Sequence, residues 1–162
     1  MHPFANRHRP IVVAAVSAIA LVTAIVGPAT SSASAASTTV TNITDDANWL
    51  LQGQLPDGAI AWYVDKGHVS PYLANYAAIG LAEAAKQTGS ARYSEAAWAW
   101  LQWYAAHQDV NGFVTDYNVD ASGVETSTGD EDSTDAYAGT YLSAVRATYA
   151  VDPDAAELAS LH

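Results

Sequence analysis

The sequence predicts an all-α protein built from repeated α-hairpins, and three observations carry that prediction. Trp49-Leu50, Gln54, Gly58 and Ile60 recur as Trp103-Tyr104, Gln108, Gly112 and Val114, each pair 54 residues apart. Behind each copy a second pattern follows, Tyr76-Ala77 with Leu81 and then Tyr137-Ala138 with Leu142, now 61 residues apart. Self-similarity at such spacing marks a supersecondary unit written twice, and the change of offset places seven extra residues in the second loop. Finally, a helix, an Asp57-Gly58 or Asn111-Gly112 loop and a second helix form a hairpin that cannot bury its apolar stripe alone. Neighbouring hairpins must stack, as an α-solenoid or as a closed ring.

Residues 1–36 stand outside that repeat. Arg7 and Arg9 precede an apolar run from Ile11 to Val26, and a small-residue segment ending in Ala33-Ser34-Ala35 follows. This is the grammar of a secretory signal peptide with its cleavage site. The apolar run is 16 residues long, short of the roughly 20 that span a bilayer. With no cysteine there is neither a disulfide framework nor a lipid-anchored thiol, so an extracellular, freely secreted protein held together by packing is expected.

Once the leader is removed, Lys66, Lys86, Arg92 and Arg146 face 17 acids, a net charge of −13. Such a surface repels phosphate backbones and anionic membranes. A polysaccharide or oligosaccharide fits it better, with no nucleic acid and no membrane among the expected partners.

Residues 37–44 are rich in Ser and Thr and read as a linker into a repeat domain spanning 45–162. The first helix is expected from Asp45, a capping residue, to Gln54, where Pro56-Asp57-Gly58 turns the chain. Ser70-Pro71 opens a second helix over 71–88, with Leu73, Ala77, Gly80, Leu81 and Ala84 along one stripe and Gly89 at its end. A third helix, Ser94 to Gln108, presents Trp98, Trp100, Leu101, Trp103 and Tyr104 nearly all the way round and therefore needs partners on several sides. The fourth opens at Asp132 or Ser133 and stops before Asp152-Pro153. Asp154 is placed to cap a fifth, which runs on to His162, so the chain reads as the N-terminal part of a larger assembly. Gly80 and Gly139 both sit inside the second helix of a hairpin, where glycine costs about 0.5–1 kcal/mol against alanine; the expectation is a close approach of two backbones.

With the first and third helices outside and the second and fourth inside, the loops and the inner-helix N-termini gather at one end, where function is expected. The first loop and its helix supply Asp57, Trp62, Tyr63, Asp65, His68, Tyr72, Asn75 and Tyr76. Aromatic faces cover the C–H faces of sugar rings while carboxylates and amides hold the hydroxyls; the same aromatics also serve as core plugs. The second loop carries Asp116, Tyr117, Asp120, Glu125, Asp130, Glu131, Asp132 and Asp135. Three accounts fit so many acids: capping of the fourth helix, calcium ligation without EF-hand spacing, and catalysis by two carboxyl groups, as glycoside hydrolysis requires. Asp57 and Asp135 are the candidate catalytic pair. The helix dipole favours the carboxylate form of Asp135, and Trp62 beside Asp57 is suited to hold a proton on it. No nucleophile elbow, zinc helix or phosphate loop is present, and no cofactor is expected beyond the calcium alternative.

Hairpins with Asn/Asp-Gly loops, Trp-rich outer helices and an acid plus tyrosine at the start of an inner helix, here Asp135 and Tyr137, resemble the six-hairpin glycosidase-like superfamily. Those are secreted (α/α)6 toroids acting on carbohydrate. The resemblance covers roughly residues 45 to 158 and implies a hydrolase or lyase for polysaccharide, with acids at inner-helix N-termini and in an inter-helix loop. Two hairpins make less than half of such a ring. The Gln54/Gly58 and Gln108/Gly112 pairs also resemble the repeats of terpenoid-cyclase rings, with Ile60 and Val114 where those have Trp. A non-catalytic glycan-binding or cell-wall-binding hairpin module is the reading from a different functional class.

Overall fold

A computed structural model of the 162-residue chain describes residues 31–62, 66–129 and 134–161. Its element order is α1 (Ser31–Gly53), β1 (His68–Val69), α2 (Pro71–Thr88), α3 (Ala91–Ala106), β2 (Tyr117–Val119), β3 (Glu125–Ser127), α4 (Thr134–Val151) and α5 (Ala155–Ala159). Most of the leader lies outside the described residues.

Helix α1 begins well before Asp45, so residues 37–44 are helix rather than linker. Ile43, Ala47, Leu50 and Leu51 form one stripe packed into the core, which extends the helical face upstream of the expected cap. Thr44 turns its hydroxyl back onto the Val40 carbonyl at 2.9 Å, satisfying within the helix a group that composition alone assigns to a loop.

Helix α2 spans its expected residues. Pro71 fills the first position, where no N–H is needed, and Gly89 closes the helix in a left-handed conformation, its N–H donating to Ala85 O. The two-residue link through Gly89 and Ser90 makes α3 antiparallel to α2. Trp98 donates to Asp152 O at 3.3 Å and Tyr104 stacks on Tyr141 at 4.1 Å, so α4 runs antiparallel to α3 and hence parallel to α2. Asp154 caps α5, its carboxylate accepting from Ala156 and Glu157 N–H groups.

Helix α2 packs against α1, α3 and α4. The expected all-round burial of α3 is met: Trp98, Trp100, Leu101, Trp103 and Tyr104 are all buried. Asn75 is wholly buried and ties the layers together. Its Oδ1 accepts from Trp100 Nε1 at 2.9 Å, and its Nδ2 donates to Tyr137 O at 3.2 Å and Thr140 Oγ1 at 2.9 Å.

The close approach expected at Gly80 and Gly139 does not occur. A Cβ on Gly80 would meet Leu50 Cδ1 at an ordinary 3.5 Å, and one on Gly139 would meet nothing within 4 Å. The crowded glycine is Gly58, with φ +102° and a hypothetical Cβ 2.5 Å from the Ala99 carbonyl oxygen. Loop one is thus pressed onto the middle of α3, and Gln54 Nε2 clamps it by donating to Gly58 O and Ala96 O.

Candidate functional site

A three-stranded antiparallel sheet in the order β1-β2-β3 joins the two loops, His68 facing Asn118 and Val119 facing Glu125. Its strands are too short to show a period of two in the sequence. The β2–β3 turn is built by Asp120, whose Oδ1 accepts from the N–H groups of Ser122 and Val124, with Gly123 at φ +85°. These bonds hold the Asp120 carboxyl below its ordinary range, chiefly the Ser122 hydroxyl and the Val124 N–H. The seven extra residues of the second loop lie in the stretch that forms this ribbon.

Successive residues at the start of β2 face opposite ways and head two clusters. On one side Asp116 accepts from Tyr137 Oη at 2.8 Å through Oδ1 and meets His68 Nε2 at 3.2 Å through Oδ2. Tyr137 stacks on Tyr72 at 6.1 Å, and Tyr72 meets Tyr76 edge-on at 5.3 Å, their hydroxyls 3.5 Å apart. A chain of imidazole, carboxylate and three phenol rings therefore crosses from β1 to the first turns of α2 and α4. Tyr76 is exposed at its end.

On the other side Tyr117 packs edge-on against Trp103 and His107, which stack on each other at 3.9 Å. Glu125 Oε2 accepts from Trp103 Nε1 at 3.0 Å and lies 3.6 Å from His107 Nε2. The side chain is nine-tenths buried, and among the described residues Oε1 has no hydrogen-bond partner. Burial, and then the charge of Asp57, push the Glu125 carboxyl above its ordinary range, against the pull of Trp103 and His107. His107 Nδ1 donates to Trp103 O at 2.7 Å. Its Nε2 is thereby left facing Glu125.

The candidate acids are thus divided. Asp57 is exposed, accepts from Ala59 N–H at 3.2 Å in its own turn and acts on Glu125. Asp135 belongs to the first turn of α4, which is tied through Tyr137 to Asp116. The side chain of Asp135 lies outside the described residues. Glu125 and Asp116 stood in the sequence among seven acids named in one loop, with no spacing to single them out.

His68 and Tyr72 are half-buried, and Trp62 and Tyr76 are exposed. Asn75 corrects the expectation of a sugar ligand: it is inaccessible, and its amide is used by three protein groups. Tyr137 is likewise buried, with its hydroxyl on Asp116, so it positions rather than presents. Tyr63, Asp65, Glu131 and Asp132 lie outside the described residues. Among the described residues no three His, Asp or Glu side chains gather to hold a metal ion.

Beside this end, α1, α2 and loop one enclose an apolar groove of about 670 Å³, with Trp49, Leu50, Leu73 and Ala77 on its walls and Trp62, Tyr76 and Lys66 at its edge. Comparison of the chain with family models, with curated proteins and with solved structures returned no match in any of the three.

Proposed function

We propose that the chain is a secreted carbohydrate-active protein, its hairpins an arc of an (α/α) toroid, acting on polysaccharide at the loop end by carboxylate acid/base chemistry. One observation carries this reading. An exposed aromatic edge, Tyr76 over Tyr72, is backed by the hydrogen-bonded Asp116–His68 pair where the first turns of two parallel helices meet. Apolar faces with a polar rim are the chemistry that a pyranose ring requires. Asp57, whose charge reaches the buried Glu125, and Asp135, in the first turn of α4, are the proposed pair of carboxyl groups that such acid and base roles require.

A second reading rests on a different detail. Both oxygens of Asp116 are already taken by Tyr137 and His68, as befits a carboxylate that shapes a binding surface without reacting; that is the non-catalytic glycan-binding module. Incubating the purified chain with a panel of soluble and insoluble polysaccharides separates the two. Release of reducing ends or unsaturated products, lost in Asp135→Asn or Asp57→Asn, supports the enzyme. Binding without product, weakened by Tyr76→Ala, supports the module. Neither binding nor product on any glycan discards the proposal.

A further inference from the structure

The two hairpins are copies in sequence, yet equivalent positions differ sharply in burial. Trp49 is 57% exposed and its counterpart Trp103 3%; Tyr76 is 51% exposed and Tyr137 9%. At the other edge the difference is reversed, with Leu81 0% exposed and its counterpart Leu142 66%. On the second hairpin Tyr137 is covered by the first, through its stack on Tyr72 and the packing of α2 on α4, whereas Trp103 is closed by Trp100, His107 and Tyr117 of its own hairpin. The same surface on the first hairpin is the open α1–α2 groove. Leu81 lies in the core that α2 shares with α3 and α4, whereas the α4 face bearing Leu142 and Tyr149 is open.

We infer that this groove seats the exposed α4 face of a second copy of the chain, in a head-to-tail contact that repeats the packing of α4 on α2 within one molecule. The occupant follows from that internal interface. Whatever buries Tyr76 as Tyr137 is buried must present an inner helix of the same repeat, as α2 does to α4 within the molecule, and α4 is the inner helix whose far side is uncovered. Such a contact is heterologous, since the groove of one copy meets the α4 face of the next and each copy keeps one surface of either kind free. The highly acidic chain opposes its own association through long-range repulsion, so the contact strengthens as salt is raised. The contact covers Tyr76, so a second copy and a sugar at that edge compete for the same ring.

Sedimentation of the purified full chain across a wide concentration range tests it. The expected result is a mass that rises with concentration to the dimer or beyond, more readily at high salt. Leu142→Asp and Trp49→Asp, both at exposed positions outside the loop-end clusters, should each weaken self-association at least about tenfold, as central interface anchors do. Mixing the two variants should restore a one-to-one pair that grows no further, because one keeps an intact groove and the other an intact α4 face. That complementation also shows that both variants are folded. A wild-type chain that stays monomeric at every concentration overturns the inference, as does association indifferent to both substitutions. Failure of the mixed variants to pair overturns the head-to-tail geometry. A monomeric chain whose groove tryptophans respond to an oligosaccharide assigns the groove to a ligand and overturns it too.

Discussion

Asn75 and Trp100 meet at the centre of the fold, the indole N–H donating to the amide oxygen across 2.9 Å with both side chains wholly buried. The same amide holds the first turns of α4 through Tyr137 O and Thr140 Oγ1. Asn75→Ala leaves the indole N–H without its acceptor and opens a void, so a loss of about 2–4 kcal/mol is expected in urea unfolding. Asn75→Asp keeps the acceptor but brings an unpaired charge, and should be no better.

Gly58→Ala and Gly112→Ala form a matched pair. Both glycines have positive φ, +102° and +83°, but only Gly58 is packed against backbone, that of Ala99. The Gly112 change should cost about 1 kcal/mol for the left-handed conformation alone. The Gly58 change adds the collision with α3 and should cost about 3 kcal/mol or more. Equal losses in the two variants would contradict the pressed loop.

Thr148 is wholly buried and its hydroxyl has no hydrogen-bond partner among the described residues. Thr148→Val replaces that hydroxyl with a methyl of similar size, and a gain of about 1 kcal/mol is expected by thermal or urea unfolding.

Glu125 makes acid stability asymmetric. Its folded pKa is raised by burial and by Asp57, so the protonated form favours the folded state. The contribution is fully present below the unfolded glutamate range and is lost as pH rises through the higher folded value. The melting temperature of the wild-type chain should therefore fall relative to Glu125→Gln as pH rises from about 4 toward neutrality. A constant difference across that window would count against a Glu125 carboxyl raised by burial.

Tyr104 and Tyr141, stacked at 4.1 Å, are both pushed up to about 12 by burial, the Tyr104 charge adding to the rise at Tyr141. A raised phenol stabilises the fold below its unfolded value of ~10, and that contribution drains away between there and the folded value. Tyr141→Phe should flatten the alkaline fall in stability, and tyrosinate absorbance should show these two rings titrating only as the chain unfolds.

What the sequence made legible follows from where local chemistry decides the outcome. Ser70-Pro71, Asp152-Pro153 and Asp154 mark helix boundaries through φ restriction and capping, and the structure has α2, the end of α4 and α5 at those places. The start of α1 was hidden because Ser and Thr stretches are neutral between loop and helix until tertiary packing of Ile43 and Ala47 chooses. The sheet was hidden because two- and three-residue strands carry no period. Gly80, Gly139 and Gly58 make the same point from the other side: a costly residue signals a constraint, and only the fold shows which glycine meets it. At the candidate site the residue types were readable, but the division of acids into an Asp116 group and a Glu125 group depends on which way β2 turns each neighbour.

The ribbon that joins the loops makes the tandem one mechanical part. β1 is lent by the first hairpin, and β2 and β3 by the second, so a force that pries the hairpins apart must first tear a strand from its neighbour. Two repeats that could otherwise slide past each other are geared at one end.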